Sequence, residues 1–277
     1  MSERLCLTAP LPSLDAWVDA FANAEIPVLA ETAEALEQLR AIEDEVDAHG
    51  LGELVATDPL MTLKLLAHAS ELRRGRLMAD AETPTAALVL MGITPFFRDF
   101  GPQPTLEQAL ADHDDALLGL SRVMQRAERA SRYALGFAVH RTDPDASIIH
   151  SAALLHDFAE MLLWVHAPTL ALQIAALQQA DRQLRSTMAQ RQVLGIELLA
   201  LEQALMHRWH LPELLTRITN DQQSRDPKVQ CVQLAVRLAR HTARGWDDTA
   251  VPDDLHDIAA LLNLGPEPTL KLLREFD

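Results

Sequence analysis

The segment His150-Ser-Ala-Ala-Leu-Leu-His156-Asp157 holds the side chains best suited to chemistry in this sequence. Imidazole and carboxylate groups both bind iron, zinc or manganese, so the adjacent His156 and Asp157 predict half of a divalent-metal site. On an ideal helix His156 lies about 100° from Asp157, an angle that the two side chains can span, and His150 lies about 20° from Asp157. A catalytic metal needs three or more protein ligands and an open position for water, so we predict no catalytic residue from this segment alone.

The same residues also have a purely structural interpretation. His156 and Asp157 could be hydrogen-bonded inside a helical core, with the carboxylate capping a helix or pairing with an arginine. His150, ahead of the pair, could be a partly exposed polar residue. The sequence leaves both interpretations open.

A basic turn, Arg73-Arg74-Gly75-Arg76, is a candidate ligand site. The guanidinium forks of Arg73, Arg74 and Arg76 suit the geometry of a phosphate group. The alternative is a solvated loop, or a loop that pairs with the acidic helix between Glu31 and Asp47.

Phe96, Phe97 and Phe100 form a second cluster in a chain that is only 4% aromatic. We expect these rings either to pack between subdomains or to form an exposed patch where a partner docks.

The elements that must position these residues are predicted to be helices throughout. Glycine is scarce, at 10 residues, while strong helix formers are common and alternating β-branched runs are absent. Asp58-Pro59 and Thr83-Pro84 each combine an N-cap residue with a proline at the first helical position. The segment Phe100-Gly101-Pro102-Gln103-Pro104 is the best candidate for a subdomain boundary. We therefore predict an all-α protein of two packed helical subdomains, residues 1–104 and 105–277. The helices are predicted over residues 14–22, 32–48, 51–55, 59–69, 83–91, 105–137, 146–165, 168–180, 185–208, 212–220, 228–243, 258–262 and 268–276.

Composition excludes several classes of protein. The chain has 277 residues, 48% of them hydrophobic, with 24 Lys+Arg against 40 Asp+Glu and a formal net charge of −16. This acidity argues against a partner that is nucleic acid or an anionic membrane surface. Cys6 and Cys231 match no ligand or redox spacing, and the N-terminus lacks a basic segment followed by an apolar run, so we expect a cytoplasmic protein.

Five short motifs, in one order along about residues 20–265, give the chain a family resemblance. They resemble the HDOD family, a branch of the HD superfamily of metal-dependent phosphohydrolases. The second half of such a protein is a degenerate HD-domain-like helical core. The motifs are Ile26-Pro27-Val28-Leu29; Asp58-Pro59-Leu60 with Leu63-Lys64-Leu65-Leu66 and Ala69-Ser70; Thr83-Pro84-Thr85-Ala86-Ala87 with Leu90-Met91-Gly92; Ala153-Leu154-Leu155-His156-Asp157; and Leu205 with Trp209-His210-Leu211-Pro212.

The sequence departs from the HD pattern where the resembled enzymes carry metal ligands. Leu120 stands at the first histidine of those enzymes, and Leu198 stands at a second. An alkyl group offers no lone pair to a metal. The late histidine pair is replaced by residues around Asn220-Asp221-Gln222, and Ala159 replaces a glycine.

The resemblance and the lost ligands together imply a regulatory protein that does not hydrolyse a substrate. We expect a non-enzymatic, cytoplasmic signal-transduction module of bacterial type that acts by contact with protein partners, with a small ligand as a further signal. His156 and Asp157 would then be a vestigial metal site, with no cofactor beyond a weakly held divalent ion. The alternative is a metal-dependent phosphohydrolase, a nucleotide or cyclic-dinucleotide phosphodiesterase with an atypical ligand set.

Overall fold

The computed structural model describes residues 5–73, 80–181, 183–223 and 225–276. Within these ranges the chain is helical and contains no β-strand, so the prediction of an all-α protein is confirmed. Two 3₁₀ turns, Glu43–Glu45 and Asp221–Gln223, join α-helices. The α-helices are α1 Leu14–Ala22, α2 Ala30–Arg40, α3 Ala48–Val55, α4 Pro59–Arg73, α5 Pro84–Met91, α6 Ile93–Asp99, α7 Leu106–Ala109, α8 Asp114–His140, α9 Ala146–Leu155, α10 Phe158–His166, α11 Pro168–Ala180, α12 Ser186–Leu194, α13 Leu198–Arg208, α14 Glu213–Ile218, α15 Pro227–His241, α16 Val251–Leu262 and α17 Pro266–Glu275.

The chain divides into two compact units, each built from two separate stretches of sequence. Unit 1 is residues 1–123 with 157–211, and unit 2 is residues 124–156 with 212–277. Neither unit ends near residue 104. The backbone N–H of Val28 donates to Pro104 O (3.0 Å) and Leu106 N–H donates to Val28 O (2.8 Å), which binds the proline-rich segment to the rest of unit 1. The subdomain boundary at residue 104 stays a prediction about domain organisation.

Asp58 shows why the predicted helix start at residue 59 occurs. Its Oδ1 accepts the N–H groups of Leu60 (2.9 Å) and Met61 (3.1 Å), which have no partner inside α4. Its Oδ2 accepts the N–H of Leu29 (2.8 Å), the residue before α2. Burial raises the pKa of Asp58, and the surrounding N–H and O–H donors lower it by less. One carboxylate therefore organises the starts of two helices.

Unit 1 is held together by an apolar core that includes nearly every residue of α10. Burial of one large apolar side chain stabilises a fold by about 1.5–3 kcal/mol, so a core of this size supplies much of the stability of the unit. Its largest buried side chains include Trp17, Phe21, Leu36, Leu60, Met61, Phe96, Phe97, Leu120 and Phe158.

Unit 2 packs α15 against α9, α14 and α16. Buried residues recur on one side of α15 at spacings of three and four, which places a continuous apolar stripe against these neighbours. The core includes Tyr133, Phe137, Ile149, Leu154, Leu215, Val229, Val232, Leu238, Ile258 and Leu273.

One stretch, Ala146–His166, is long and apolar enough to cross a membrane by length and composition. Most of it, 83% of the most apolar window, is buried inside the protein. Core helices of soluble proteins commonly have these properties, so the stretch is weak evidence for a membrane span.

Several predicted helices have different bounds in the structure. The helix predicted over 32–48 ends at Arg40, and Asp47 caps a new helix by accepting the N–H groups of His49 (2.8 Å) and Gly50 (2.9 Å). The helix predicted over 185–208 is two helices, because Gly195 adopts a left-handed conformation (φ 75°) between them. The short helix α6 was not predicted as a separate element.

Candidate functional site

His156 and Asp157 lie at a junction between two helices, not inside one. His156 is the C-cap of α9 and belongs to unit 2, whereas Asp157 is the N-cap of α10 and belongs to unit 1. Asp157 has φ −111° and ψ 21°, which departs from helical geometry. The angle of 100° expected on one ideal helix therefore does not describe the pair. Both side chains are buried.

The imidazole of His156 has a carboxylate partner 65 residues further along the chain. Its Nε2 lies 3.1 Å from Oδ1 of Asp221, the first residue of the 3₁₀ turn between α14 and α15. Gln233 of α15 donates from Nε2 to the backbone oxygen of Asp221 (2.7 Å). The contact with Asp221 therefore joins the end of α9 to the turn that leads into α15.

The pKa of Asp221 is lowered by this arrangement. Burial acts in the opposite direction and is the largest single influence, but the hydrogen bond and charge of His156, a hydrogen bond from Gln233 and the charge of Arg240 together outweigh it. The carboxylate is ionised at neutral pH and accepts the hydrogen bond.

The donor set does not fit a divalent metal. Among the described residues, no group of three or more His, Cys, Asp or Glu side chains is placed to hold an ion. The two positions at which the sequence resemblance implies lost imidazole ligands are Leu120 and Leu198, at the first turn of α13; both are buried. His156 Nε2 is already in contact with a carboxylate oxygen, Asp221 Oδ1, at 3.1 Å. We therefore derive no catalytic step through a metal.

His150 does not complete a ligand set. It lies on α9, where it is half-buried, and burial lowers the pKa of its imidazole. The uncharged form is therefore favoured at neutral pH. Its position six residues before His156 puts it nearly two turns away along α9.

The basic turn is only partly covered by the structure. Arg73, the last residue of α4, forms an ion pair with Asp80. An arginine that is already paired with a carboxylate is a weaker candidate for binding phosphate. Arg74 and Arg76 lie outside the described residues, and phosphate binding at this turn stays a prediction.

The three phenylalanines are buried in unit 1 and do not form an exposed docking patch. Phe96 stacks on Phe100, with ring centroids 4.9 Å apart, and packs edge-on against Phe97 at 5.2 Å. Arg40 of α2 donates to the backbone oxygens of Phe97 and Phe100 and lies over the ring of Phe97, so it covers this end of α6. Apolar packing within one unit explains the cluster.

Sequence reasoning missed a small cleft in unit 1. It has a volume of about 260 Å³ and opens where α1 and α13 end beside α4. Trp209 is one wall of this cleft and only partly buried. Its place in the Trp209-His210-Leu211-Pro212 motif was the available signal. The lining residues are Ala22, Asn23, Ala67, Glu71, Arg208 and Trp209.

Comparison with known proteins places this arrangement in a family. The model of the HDOD domain matches residues 26–225. No curated protein matches the chain. The MmoQ response regulator from Methylococcus capsulatus superposes with a TM-score of 0.65 at 19% identity, covering 90% of this chain and 98% of that one. A virulence factor from Campylobacter jejuni superposes with a TM-score of 0.65 at 17% identity, covering 94% of each chain.

The structural likenesses lie below 25% identity and show a shared fold. The family match covers more than two thirds of the chain and includes the helices that carry His156, Asp157 and Asp221. The motifs at Asp58, Thr83 and His156 fall within the matched range. The protein belongs to the HDOD domain family.

Proposed function

We propose that this protein is a non-catalytic regulatory module in cytoplasmic signal transduction and that it acts by contact with other proteins. The observation that carries the proposal is the contact between His156 Nε2 and Asp221 Oδ1 at 3.1 Å. In this arrangement a histidine of the metal-binding type is used to connect two helical segments. Buried leucines at positions 120 and 198 support the same proposal, because they remove two imidazoles that a hydrolase would need.

The charge of the molecule also favours protein contact over capture of a phosphorylated substrate. Unit 1 contains 12 basic and 26 acidic residues, a formal charge of −14, whereas unit 2 contains 12 and 14, a formal charge of −2. An anionic substrate would be repelled by such a surface unless a metal or a basic pocket offset the repulsion. A basic partner would be attracted to unit 1.

The proposal is tested by combining an activity assay with elemental analysis. The purified protein is incubated with nucleotides and with cyclic dinucleotides in the presence of Mn²⁺ or Fe²⁺, and its metal content is measured as isolated. We expect no turnover above buffer and far less than one equivalent of transition metal. Turnover that is abolished in His156→Ala would overturn the proposal and support the phosphohydrolase alternative.

A matched control substitution distinguishes turnover that depends on His156 from the activity of a contaminating hydrolase. His49 is an exposed histidine of α3, with 77% of its side chain accessible. Turnover that His49→Ala retains and His156→Ala loses belongs to this protein, whereas turnover that both variants retain does not depend on His156. Thermal shift with the same nucleotides separates binding from hydrolysis, since a ligand at about 100 times its Kd stabilises the folded state by about 2.7 kcal/mol.

A further inference from the structure

The cleft in unit 1 has a chemical character that the proposed function does not explain. Two of its sides are helix C-termini: α1 ends at Ala22 with Asn23 as its C-cap, and α13 ends at Arg208 with Trp209 as its C-cap. The C-terminal end of a helix carries a partial negative charge. The last turn of α1 has no basic residue of its own to complement that charge, whereas the last turn of α13 has His207 and Arg208.

The third side of the cleft adds a formal negative charge. Ala67 and Glu71 lie one turn apart on α4, so a small side chain forms the wall beside a carboxylate. Among the residues that line the cleft, Glu71 carries a formal charge of −1 and Arg208 one of +1. The whole of unit 1 carries a formal charge of −14, which raises the local concentration of cations.

The remaining wall of the cleft is aromatic. The Trp209 ring contacts Phe158, with centroids 5.9 Å apart, and its Nε1 donates to Ala22 O at 3.4 Å. These contacts fix the orientation of the indole. In the part of the chain that the structure describes, no arginine or lysine lies over the Trp209 ring, whereas Trp246 in unit 2 has Arg274 over its ring at 5.1 Å. Tryptophan is the best aromatic partner for a guanidinium or ammonium group.

We propose that this cleft binds an arginine or lysine side chain presented by a protein partner. The inference rests on the proposed function and names the chemistry of the partner at this surface. Arg208 stands at the rim of the cleft and is exposed, so it opposes a second cation. Removal of the Arg208 charge should therefore strengthen binding of the cationic side chain.

Titration with a single-arginine peptide, followed by NMR of the tryptophan indole N–H groups, tests the proposal. The probe is acetyl-Gly-Arg-Gly-amide, and the neutral control carries citrulline in place of arginine. The four indole signals correspond to Trp17, Trp164, Trp209 and Trp246, and Trp209→Phe identifies the relevant one. We expect the Trp209 signal to shift saturably with the arginine peptide and hardly at all with the citrulline peptide, while the Trp246 signal stays in place.

Two charge substitutions at the cleft give opposite expected results. Glu71→Gln should weaken binding of the arginine peptide by about threefold, the effect of one partly solvated charge contact, and Arg208→Gln should tighten it by a similar factor. Nα-acetyl-L-arginine should bind less well than the peptide, because its carboxylate, which no α-ammonium group offsets, meets an acidic surface. Circular dichroism of each variant checks that the helices are intact.

The proposal is overturned if the citrulline peptide shifts the Trp209 signal equally, if no saturable shift occurs, or if neither charge substitution changes the affinity. Equal binding of Nα-acetyl-L-arginine would overturn the assignment to a protein side chain and indicate a small-molecule cation site. None of these outcomes bears on hydrolysis or metal content, so failure here is distinguishable from failure of the regulatory proposal.

Discussion

At the scale of single residues, Asp221 determines how His156 is used. A histidine that binds a metal presents a nitrogen lone pair to the ion, and a second group orients the ring from the other side. Here Asp221 Oδ1 lies 3.1 Å from His156 Nε2. Gln233 in turn donates a hydrogen bond to the backbone oxygen of Asp221 and so holds that residue in place. The imidazole therefore contacts a carboxylate, and among the described residues no third metal-ligating side chain joins the pair.

We predict a measurable energetic coupling between His156 and Asp221. Hydrogen bonds to charged groups contribute about 1.5–3 kcal/mol when buried. Because 38% of the Asp221 side chain is exposed, we expect about 1 kcal/mol after screening by solvent. Urea unfolding of His156→Ala, Asp221→Ala and the double variant measures this coupling.

An exposed pair in the same chain serves as the control for that cycle. His49 Nε2 and Glu53 Oε1 are 3.5 Å apart, and more than 70% of each side chain is accessible. Exposed pairs contribute little, so the coupling between His49 and Glu53 should be close to zero. Equal coupling in both cycles would show that the contact with Asp221 has no special role.

The two cysteines should differ strongly in reactivity. Cys6 is exposed, whereas Cys231 is fully buried in α15, and burial raises the pKa of its thiol to about 11. Only a thiolate reacts readily with a disulfide reagent. At pH 8 we expect one thiol per chain to react in the native protein and two in denaturant, as measured with Ellman's reagent. In Cys6→Ser, native reactivity should vanish; a persistent reactive thiol would contradict the burial of Cys231.

The sequence predicted part of this site and missed the rest for a physical reason. His156 and Asp157 were identified as neighbours with metal-binding chemistry, and Asp221 was identified only as a residue in a replaced ligand pair. The contact between His156 and Asp221 spans 65 residues. No local pattern of spacing encodes a contact over that distance, because it depends on how α9, α14 and α15 pack.

At the scale of elements, α3 and α5 pack together unusually closely. A β-carbon built on Gly52 of α3 would lie 2.3 Å from Thr85 Oγ1 and 3.0 Å from the Thr85 Cα. Such distances are shorter than van der Waals contact, and the second involves backbone that cannot rotate away. The absence of a side chain at residue 52 therefore sets the separation of the two helices.

Gly52→Ala and Gly50→Ala should change stability in opposite directions. Both glycines lie on α3, but a β-carbon at Gly50 would approach only the Asp47 carboxylate, at 3.9 Å. We expect Gly52→Ala to lower the free energy of unfolding by about 1–3 kcal/mol through overpacking. Gly50→Ala should raise it by roughly 0.5–1 kcal/mol, because alanine is the better helix former. Chemical denaturation measures both; stabilisation by Gly52→Ala would show that α5 can move away without cost.

Helix bounds show where sequence patterns lose precision. The starts at Pro59 and Pro84 were predicted correctly, because Asp58 and Thr83 satisfy backbone N–H groups directly after them. The predicted helix over residues 32–48 was wrong beyond Arg40. Apolar residues continue at helical spacing through Val46, but Asp47 captures two N–H groups and starts a new helix. The side-chain cap at Asp47, and not the spacing of apolar residues, therefore determines where α3 begins.

At the scale of the whole molecule, the acidic charge is unevenly distributed. Unit 1 has a formal charge of −14 and unit 2 of −2. Repulsion between the acidic residues of unit 1 opposes folding. The screening length of this repulsion is about 30 Å at 0.01 M salt and about 8 Å at 0.15 M, so the repulsion is weaker at the higher salt concentration. We therefore expect Tm to rise between these concentrations by roughly 2–4 °C, the effect of about 1 kcal/mol in a chain of this size.

A paired substitution shows whether repulsion causes that rise. Asp44 and Glu45 are exposed in an acidic 3₁₀ turn of unit 1. The double variant Asp44→Asn with Glu45→Gln should have a higher Tm than the original chain at low salt, and the difference should shrink at 0.15 M. Differential scanning fluorimetry measures both. A Tm that falls on addition of salt would contradict the repulsion argument.

The chain crosses between its two units three times, after residues 123, 156 and 211. Neither unit is a continuous stretch of sequence, so neither can be isolated as a truncated fragment. A single proteolytic cut within residues 157–211 would leave each of the two fragments with part of both units. The cut halves should therefore remain associated under native conditions and separate only in denaturant. Because of the same connectivity, a single crossover between homologues cannot exchange one whole unit and leave the other intact.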